Sequence, residues 1–417
     1  MKFFLFFATA LLATSLSAAD WPQFLGPNRD GAAADTEAAI HVPSSDPKIL
    51  WKAPLGTGFA GPAVAEDKVL IFHRVNDEAR LDALDPASGK VIWSFNYTTS
   101  YVDSFGFDNG PRATPTVGNG KVFIHGAEGM IHAIDLQTGK KLWSVDTVKE
   151  FQSEQGYFGR ASAPVIGPDG LLIVSIGGHN AKGAAGLIAL HEKDGSLAWQ
   201  TLDDEASYSS PVVIPGKTDS RVYAWMRNHL AVCDASTGRT LFATRLRSSM
   251  DASVNAATPI WCSADTFFTS ACYGVGGTLW KISTSADKSQ TSSLKKIWSK
   301  ENALDCHYST PVFYKDYLYG FHGRQEQGQT LRCIRASDGK VMWESPRVPG
   351  GALLRVKDTL AAVTEGGELW LIKATPDKFD QLASSQILRA GHRSFPAFSG
   401  GVLYARDGGS LVAVDLR

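Results

Sequence analysis

This 417-residue chain has little cysteine and almost no net charge. Its five cysteines, Cys233, Cys262, Cys272, Cys306 and Cys333, form no Cys-x-x-Cys spacing, no Cys-x-x-Cys-His and no adjacent pair. That excludes an attached c-type haem, and the odd count leaves at least one thiol free. Most of them fall in or beside predicted strands, so buried free thiols are expected. One disulfide among Cys262, Cys272 and Cys306 stays open as the alternative. Lys+Arg 41 against Asp+Glu 42 leaves a formal charge of −1. No global field then draws the protein to nucleic acid or to an anionic membrane. The ten histidines show no paired spacing along a strand, so no metal site is expected from them. There is no Gly-x-Ser-x-Gly, hence no serine-hydrolase elbow. Gly177 to Gly186 is glycine-rich but lacks Gly-Lys-Ser/Thr, and reads as a hairpin loop rather than a phosphate cradle.

Long apolar runs are also scarce. The one at Phe3 to Leu12 follows Lys2 and precedes Ser17-Ala18-Ala19. It falls short of the roughly 20 residues needed to span a bilayer. The order of charge, apolar run and small residues reads as an export signal, residues 1–19, cut after Ala19. No cysteine follows it, so no lipid anchor is expected. The expectation is a periplasmic or secreted monomer with no transmembrane segment.

What the chain does have is repetition. Asp135-Leu-Gln-Thr-Gly-Lys-Lys-Leu-Trp143 reads as a strand end, a tight turn and a second strand. It recurs as Asp85…Gly89…Trp93, Asp194-Gly195…Trp199, Asp234…Gly238…Phe242 and Asp338-Gly339…Trp343, with the aromatic always four residues after the Gly. The Asp can accept backbone N–H groups in the turn, and the Gly can take the positive φ the turn demands.

A second mark, Pro followed by two apolar or small residues, falls at Pro62, Pro115, Pro164, Pro211, Pro259, Pro311 and Pro396. Successive gaps are 53, 49, 47, 48 and 52 residues, then 85, about two units. Gly351-Ala-Leu-Leu354 fills the missing place without a Pro. Pro suits the start of a strand, where its missing N–H costs no ladder bond. Four antiparallel strands per unit of 40–50 residues make a propeller blade. The last unit stops at Leu411-Val-Ala-Val-Asp-Leu-Arg417 and lacks its Trp strand, whereas Ile49-Leu-Trp51-Lys-Ala-Pro-Leu55 is a Trp strand without a unit. The two are expected to pair and close the ring, which removes exposed sheet edges.

The fold expected is therefore all-β, an eight-bladed propeller over residues 48–417. Two units are irregular: the fifth carries a Ser/Lys-rich insertion, Ser283 to Lys296, before Trp298, and the seventh, Thr375 to Leu388, has lost both Gly and Trp. Ahead of the ring lies a leader, residues 20–47. Trp21, Phe24 and Leu25 suggest a non-strand segment pressed on the body. Its removal as far as residue 44 is expected to be tolerated, whereas removal as far as residue 56 is expected to abolish folding.

The repeated Ala-x-Asp-x-x-Thr-Gly-x-x-x-Trp unit resembles the quinoprotein-like, PQQ-repeat propellers over nearly the whole chain. The leader Trp21-Pro-Gln-Phe-Leu-Gly-Pro-Asn-Arg-Asp-Gly31 looks like that of exported bacterial members. The resemblance implies that Trp51, Trp93, Trp143, Trp199, Phe242, Trp298 and Trp343 are blade-docking residues. It leaves two activities open, because the family holds quinone-dependent alcohol and sugar dehydrogenases as well as non-enzymatic propellers, the outer-membrane assembly lipoprotein among them.

Residues just before the Pro marks enter the innermost strands at one mouth of the channel. They are Arg112, Arg160, Ser207-Tyr208, Asn255, His307-Tyr308 and His392-Arg393. Converging, they would make a cationic ring able to hold a carboxylate or phosphate; alternatively they pair with neighbours such as Glu205, Asp251 and Asp305. In a dehydrogenase the resemblance implies pyrroloquinoline quinone held at this mouth with Ca²⁺. Asn255 and Asp305 would then be metal ligands, Glu154 a poorer third, and Asp305 the base. The adjacent-cysteine ring of many such enzymes is missing, as are their large insertions. The expectation is a non-catalytic envelope module with no bound cofactor, whose partner is an envelope protein or a small anionic ligand. The quinone dehydrogenase is the alternative.

Overall fold

A computed structural model describes residues 19–215, 220–283, 293–391 and 393–417. The expected export signal lies outside them save for Ala19, as do His392 and most of the insertion in the fifth unit.

Thirty-two strands form eight four-stranded antiparallel sheets. The sheets are the blades of an eight-bladed propeller. Seven blades are continuous in sequence, at 63–98, 116–146, 165–201, 212–245, 260–300, 312–348 and 351–386. The eighth combines 397–415 with Ile49–Pro54, which pairs antiparallel with Ser410–Asp415. Each Pro mark stands one residue before the innermost strand rather than in it, because φ near −65° is set at the entry while the ladder begins next door. First strands of neighbouring blades touch around the channel. Hydroxyls tie them together: Thr114, Ser210, Thr258 and Thr310 accept from the backbone N–H of Gly61, Ala163, Ser210 and Thr258 at 2.9–3.2 Å.

The apolar core is divided into layers between blades. Phe123, Ile131 and Trp143 of the second blade, for example, pack on Leu172, Ile188 and Leu190 of the third. The turn motif builds these layers. Asp135 accepts from the N–H and hydroxyl of Thr138 at 2.8 and 2.7 Å, and Gly139 has φ +69°. Trp51, Trp93, Trp143, Trp199 and Trp298 each lie on the turn glycine of the following blade: Gly89, Gly139, Gly195, Gly238 and Gly339. Each indole N–H donates to a carbonyl of that same turn region, such as Trp93 to Leu136 at 3.0 Å. The seventh unit keeps its outer strand without the motif, and there Trp343 meets Phe379 instead.

The leader is pressed on the body through Trp21, Phe24 and Leu25, and the extent of its contacts argues against its removal being tolerated. Trp21 and Leu25 are buried, and Trp21 exchanges both backbone bonds with Val64 at 2.8 Å. Pro22 O accepts from Val117 N, Gly31 O from Arg355 N, and Phe24 packs edge-on to Phe395. Arg29, also buried, donates to the carbonyls of Ala163, Pro164 and Pro211. The leader thus threads the turn-side end of the channel and touches inner strands around the ring.

Candidate functional site

Antiparallel alternation puts two sets of loops on one face: the connections between blades and the hairpins joining second and third strands. The Thr-Gly turns occupy the other face. All the expected mouth residues that are described, His392 being outside them, are on the first face. The structure does not gather them into one free cationic ring; it places them in two groups.

In the first group, Arg112 donates to Asp103 at 3.0 Å and to the carbonyl of Asp108 at 2.8 Å, with its guanidinium over Tyr101 and Phe59. Both side chains of that ion pair are buried, so it sets the shape of its own loop. Arg160 is spent on the carbonyls of Ala127, Glu128 and Ser153, and burial lowers its affinity for a proton. Tyr208 Oη accepts from Phe158 N at 2.9 Å, and burial pushes that phenol up to about 12. Asn255 Nδ2 donates to the carbonyls of Met226, Arg227 and Leu246. With Glu154 and Ser207, these last residues line a narrow cleft of about 30 Å³.

In the second group, Glu365 is the hub. It accepts from the Tyr308 hydroxyl and from Gln325 at 2.9 Å, and pairs with Arg393 at 3.3 Å. His307 Nε2 meets the Tyr273 hydroxyl at 2.7 Å, while its Nδ1 faces Gln325 N at 3.3 Å. Burial holds His307 down to about 4 and keeps it neutral near pH 7. The sequence reading missed Glu365, which comes from a hairpin in another blade.

It also missed the loop that spans the mouth. Phe105 packs on Tyr157 and Phe158 at 6.0 and 5.1 Å, and Phe107 lies between Phe158 and the Arg393 guanidinium, 5.0 Å from the latter. Val102, Phe105 and Phe107 are nonetheless 63, 56 and 54% exposed. A signal was there: two aromatics spaced by glycine in a long connection, Ser104-Phe-Gly-Phe-Asp-Asn-Gly110.

Asn255 and Asp305, the pair that would hold Ca²⁺ in the alternative dehydrogenase reading, are not brought together. Asn255 has committed its amide to backbone and lines one cleft, whereas Asp305 lines another. Among the described residues, no three His, Cys, Asp or Glu side chains come together around a common point. No described helix is long and apolar enough to cross a membrane.

The chain matches the family model described as outer membrane protein assembly factor BamB, over residues 41–284 and 183–347. It is 26% identical over 256 residues to "Outer membrane protein assembly factor BamB" of Moranella endobia, covering 60% of this chain and 61% of that one. It is 31% identical over 162 residues to "Alcohol dehydrogenase (quinone), dehydrogenase subunit" of Gluconobacter oxydans, covering 37% and 20%. The chain therefore spans about three fifths of the one relative and a fifth of the other. Among solved structures, BamB from Moraxella catarrhalis superposes with TM-score 0.63 at 13% identity, covering 89% of this chain and 98% of that chain. Quinohemoprotein alcohol dehydrogenase from Comamonas testosteroni superposes with TM-score 0.65 at 12% identity, covering 95% and 80%. Identities this low speak to the shared fold alone.

Proposed function

Because this chain belongs to the PQQ-repeat family of the outer membrane protein assembly factor BamB, we propose that it is an exported, non-catalytic binding module of the cell envelope. Its partner is an envelope protein engaged in outer membrane protein assembly, held on the loop face. The observation that carries this reading is the bridge across the mouth: Val102, Phe105 and Phe107 remain more than half exposed although they are anchored from below. Aromatic residues of that kind are what a docking surface uses for its energetic centre. The cationic groups beneath them are already paired to Asp103, Glu365 and backbone carbonyls, which favours a supporting role.

The test is photo-crosslinking from position 107 in cells, with position 120 on the turn face as control. A crosslink to an envelope protein from 107 alone, lost in Phe105→Ser/Val102→Ser, supports the proposal. Saturable binding of pyrroloquinoline quinone with Ca²⁺, together with alcohol-dependent dye reduction, would replace it with the dehydrogenase reading.

A further inference from the structure

A second cavity lies away from the aromatic bridge, at the top of the sixth blade. It opens between the hairpins at Tyr273 and Arg324, runs out to the blade's outer strand at Arg347, and has a volume of about 270 Å³. That is room for several waters or one small organic molecule. Its walls are mostly polar.

The charges on those walls can be counted. Arg332 pairs with Glu344 and donates to the carbonyl of Ala303 at 2.7 Å. Arg324 is matched by Glu326 at 3.4 Å and lies over the Tyr273 ring. Two charges then remain. Arg347 donates only to carbonyls, such as Gln327 O at 2.9 Å, and has no carboxylate partner among the described residues. Asp305 accepts from Asn302 N at 3.1 Å through Oδ2, while its Oδ1 is buried without any partner. Burial pushes this carboxyl up to about 6, a desolvation penalty that outweighs the Asn302 N–H and the pull of the Arg332 guanidinium. Arg347 and Asp305 do not pair with each other, and neither has an ion-pair partner among the described residues, so the cavity offers an exposed guanidinium at its rim and a buried carboxylate oxygen at a separate place.

Other polar atoms are also unfinished. Thr330 Oγ1 and the Nε of Arg332 are buried without hydrogen-bond partners among the described residues. His322 Nδ1 accepts from Asp305 N at 2.9 Å, which puts its ring proton on Nε2. A buried polar group left unpaired costs about 1–3 kcal/mol, so three such atoms in one cavity, on Asp305, Thr330 and Arg332, are informative.

A ligand that completes this set must carry a cation, an anion and hydrogen-bonding groups within a small frame. We propose that this cavity binds a free α-amino acid with a polar side chain, its ammonium on Asp305 and its carboxylate on Arg347. His322 and Thr330 then face the side chain. A simple anion would leave Asp305 unmatched, and an amine would leave Arg347 unmatched. This site opens on the same face, but Val102, Phe105 and Phe107 do not line it, and it does not depend on the proposed function.

The test is calorimetric titration of the intact protein with serine, asparagine and glutamine. Two controls accompany each: the N-acetyl form, which lacks the ammonium, and the amide, which lacks the carboxylate. At least one free amino acid is expected to bind saturably, and both capped forms at least tenfold more weakly, a factor worth about 1.4 kcal/mol. Arg347→Gln, on an exposed outer strand and so expected to fold, should lose about as much as removing the carboxylate does. Asp305→Asn should lose the preference for the free amine. A dipeptide that matches the free amino acid would count against the proposal, because its termini are further apart. No saturable binding by any of the three, or binding unchanged in Arg347→Gln, would overturn it. A failed crosslink from position 107 would leave this result untouched.

Discussion

Trp143 and Gly195 belong to different blades, and each needs the other's shape. A Cβ built on Gly195 would lie 2.7 Å from Trp143 Cε3, and the indole N–H donates to Glu192 O at 2.9 Å. Gly195 also has φ +75°, which strains any residue with a side chain. Trp143→Ala is expected to cost roughly 3–5 kcal/mol, as a buried aromatic truncation. Gly195→Ala should cost about 1–3 kcal/mol, through strain and overpacking together. In the double variant the losses should sum to less than the two singles, because the clash goes when the indole does. Urea unfolding of the four proteins measures this, and an unchanged midpoint in Trp143→Ala would sink it.

The leader should prove structural. Deleting residues 20–33 removes buried Trp21, Leu25 and Arg29 and opens carbonyls of Ala163 and Pro211. We expect a loss of several kcal/mol, from apolar burial and from acceptors left unpaired. Arg29→Leu alone should cost about 1–3 kcal/mol. Deleting residues 20–56 also removes the strand that closes the ring, and cooperative unfolding should then vanish. Thermal denaturation that leaves the shorter deletion at the parent's Tm would contradict the plug.

Acid should weaken the fold in a defined window. Burial holds His125, His132 and His322 each down to about 4, against about 6.5 in an unfolded chain. The unfolded state then binds protons that the folded state refuses. The stability these residues confer is complete above pH ~6.5 and is lost as pH falls toward 4. Asp305, raised to about 6, opposes the trend over part of that range. His132 offers the cleanest check, because neither ring nitrogen has a partner and the ring lies between Phe95 and Tyr97. His132→Met should flatten the midpoint-against-pH curve and gain more at pH 5 than at pH 7.5. An unchanged slope would remove His132 from the account.

The cysteines should be inert while the protein is folded. All five are free, and four are buried. Burial pushes Cys233 up to about 11 and Cys262, Cys306 and Cys333 up to about 12, so thiolate is scarce at neutral pH. A thiol reagent should react slowly with native protein and label all five after denaturation. Reductant should leave the unfolding curve where it was; a shift would reveal a disulfide.

How far the candidate site could be read beforehand differs from one residue to the next. Arg393 and Tyr308 were placed on the right face by their phase relative to the Pro marks, a local feature repeated in each unit. Their common partner Glu365 was not visible, since it lies 57 residues from Tyr308 and belongs to a hairpin with no motif of its own. Asn255 and Asp305 enter neighbouring units and look equivalent in sequence. Only side-chain direction separated them, one turned to backbone and the other to a blade-top cavity.

The sequence by itself determined the architecture. Strand alternation, the Thr-Gly turn and the aromatic four residues later are short-range preferences, and their recurrence in unit after unit makes them additive. Even ring closure was legible, because an unpaired Trp strand at one end matched an unfinished unit at the other. The tertiary structure decided what the repeat does not encode. It set Trp143 on the next blade's glycine, drew Arg29 into the channel, and left Arg347 and Asp305 unmatched in one cavity. Those outcomes depend on which side chains meet across blades dozens of residues apart, and proximity of that kind is created only when the ring closes.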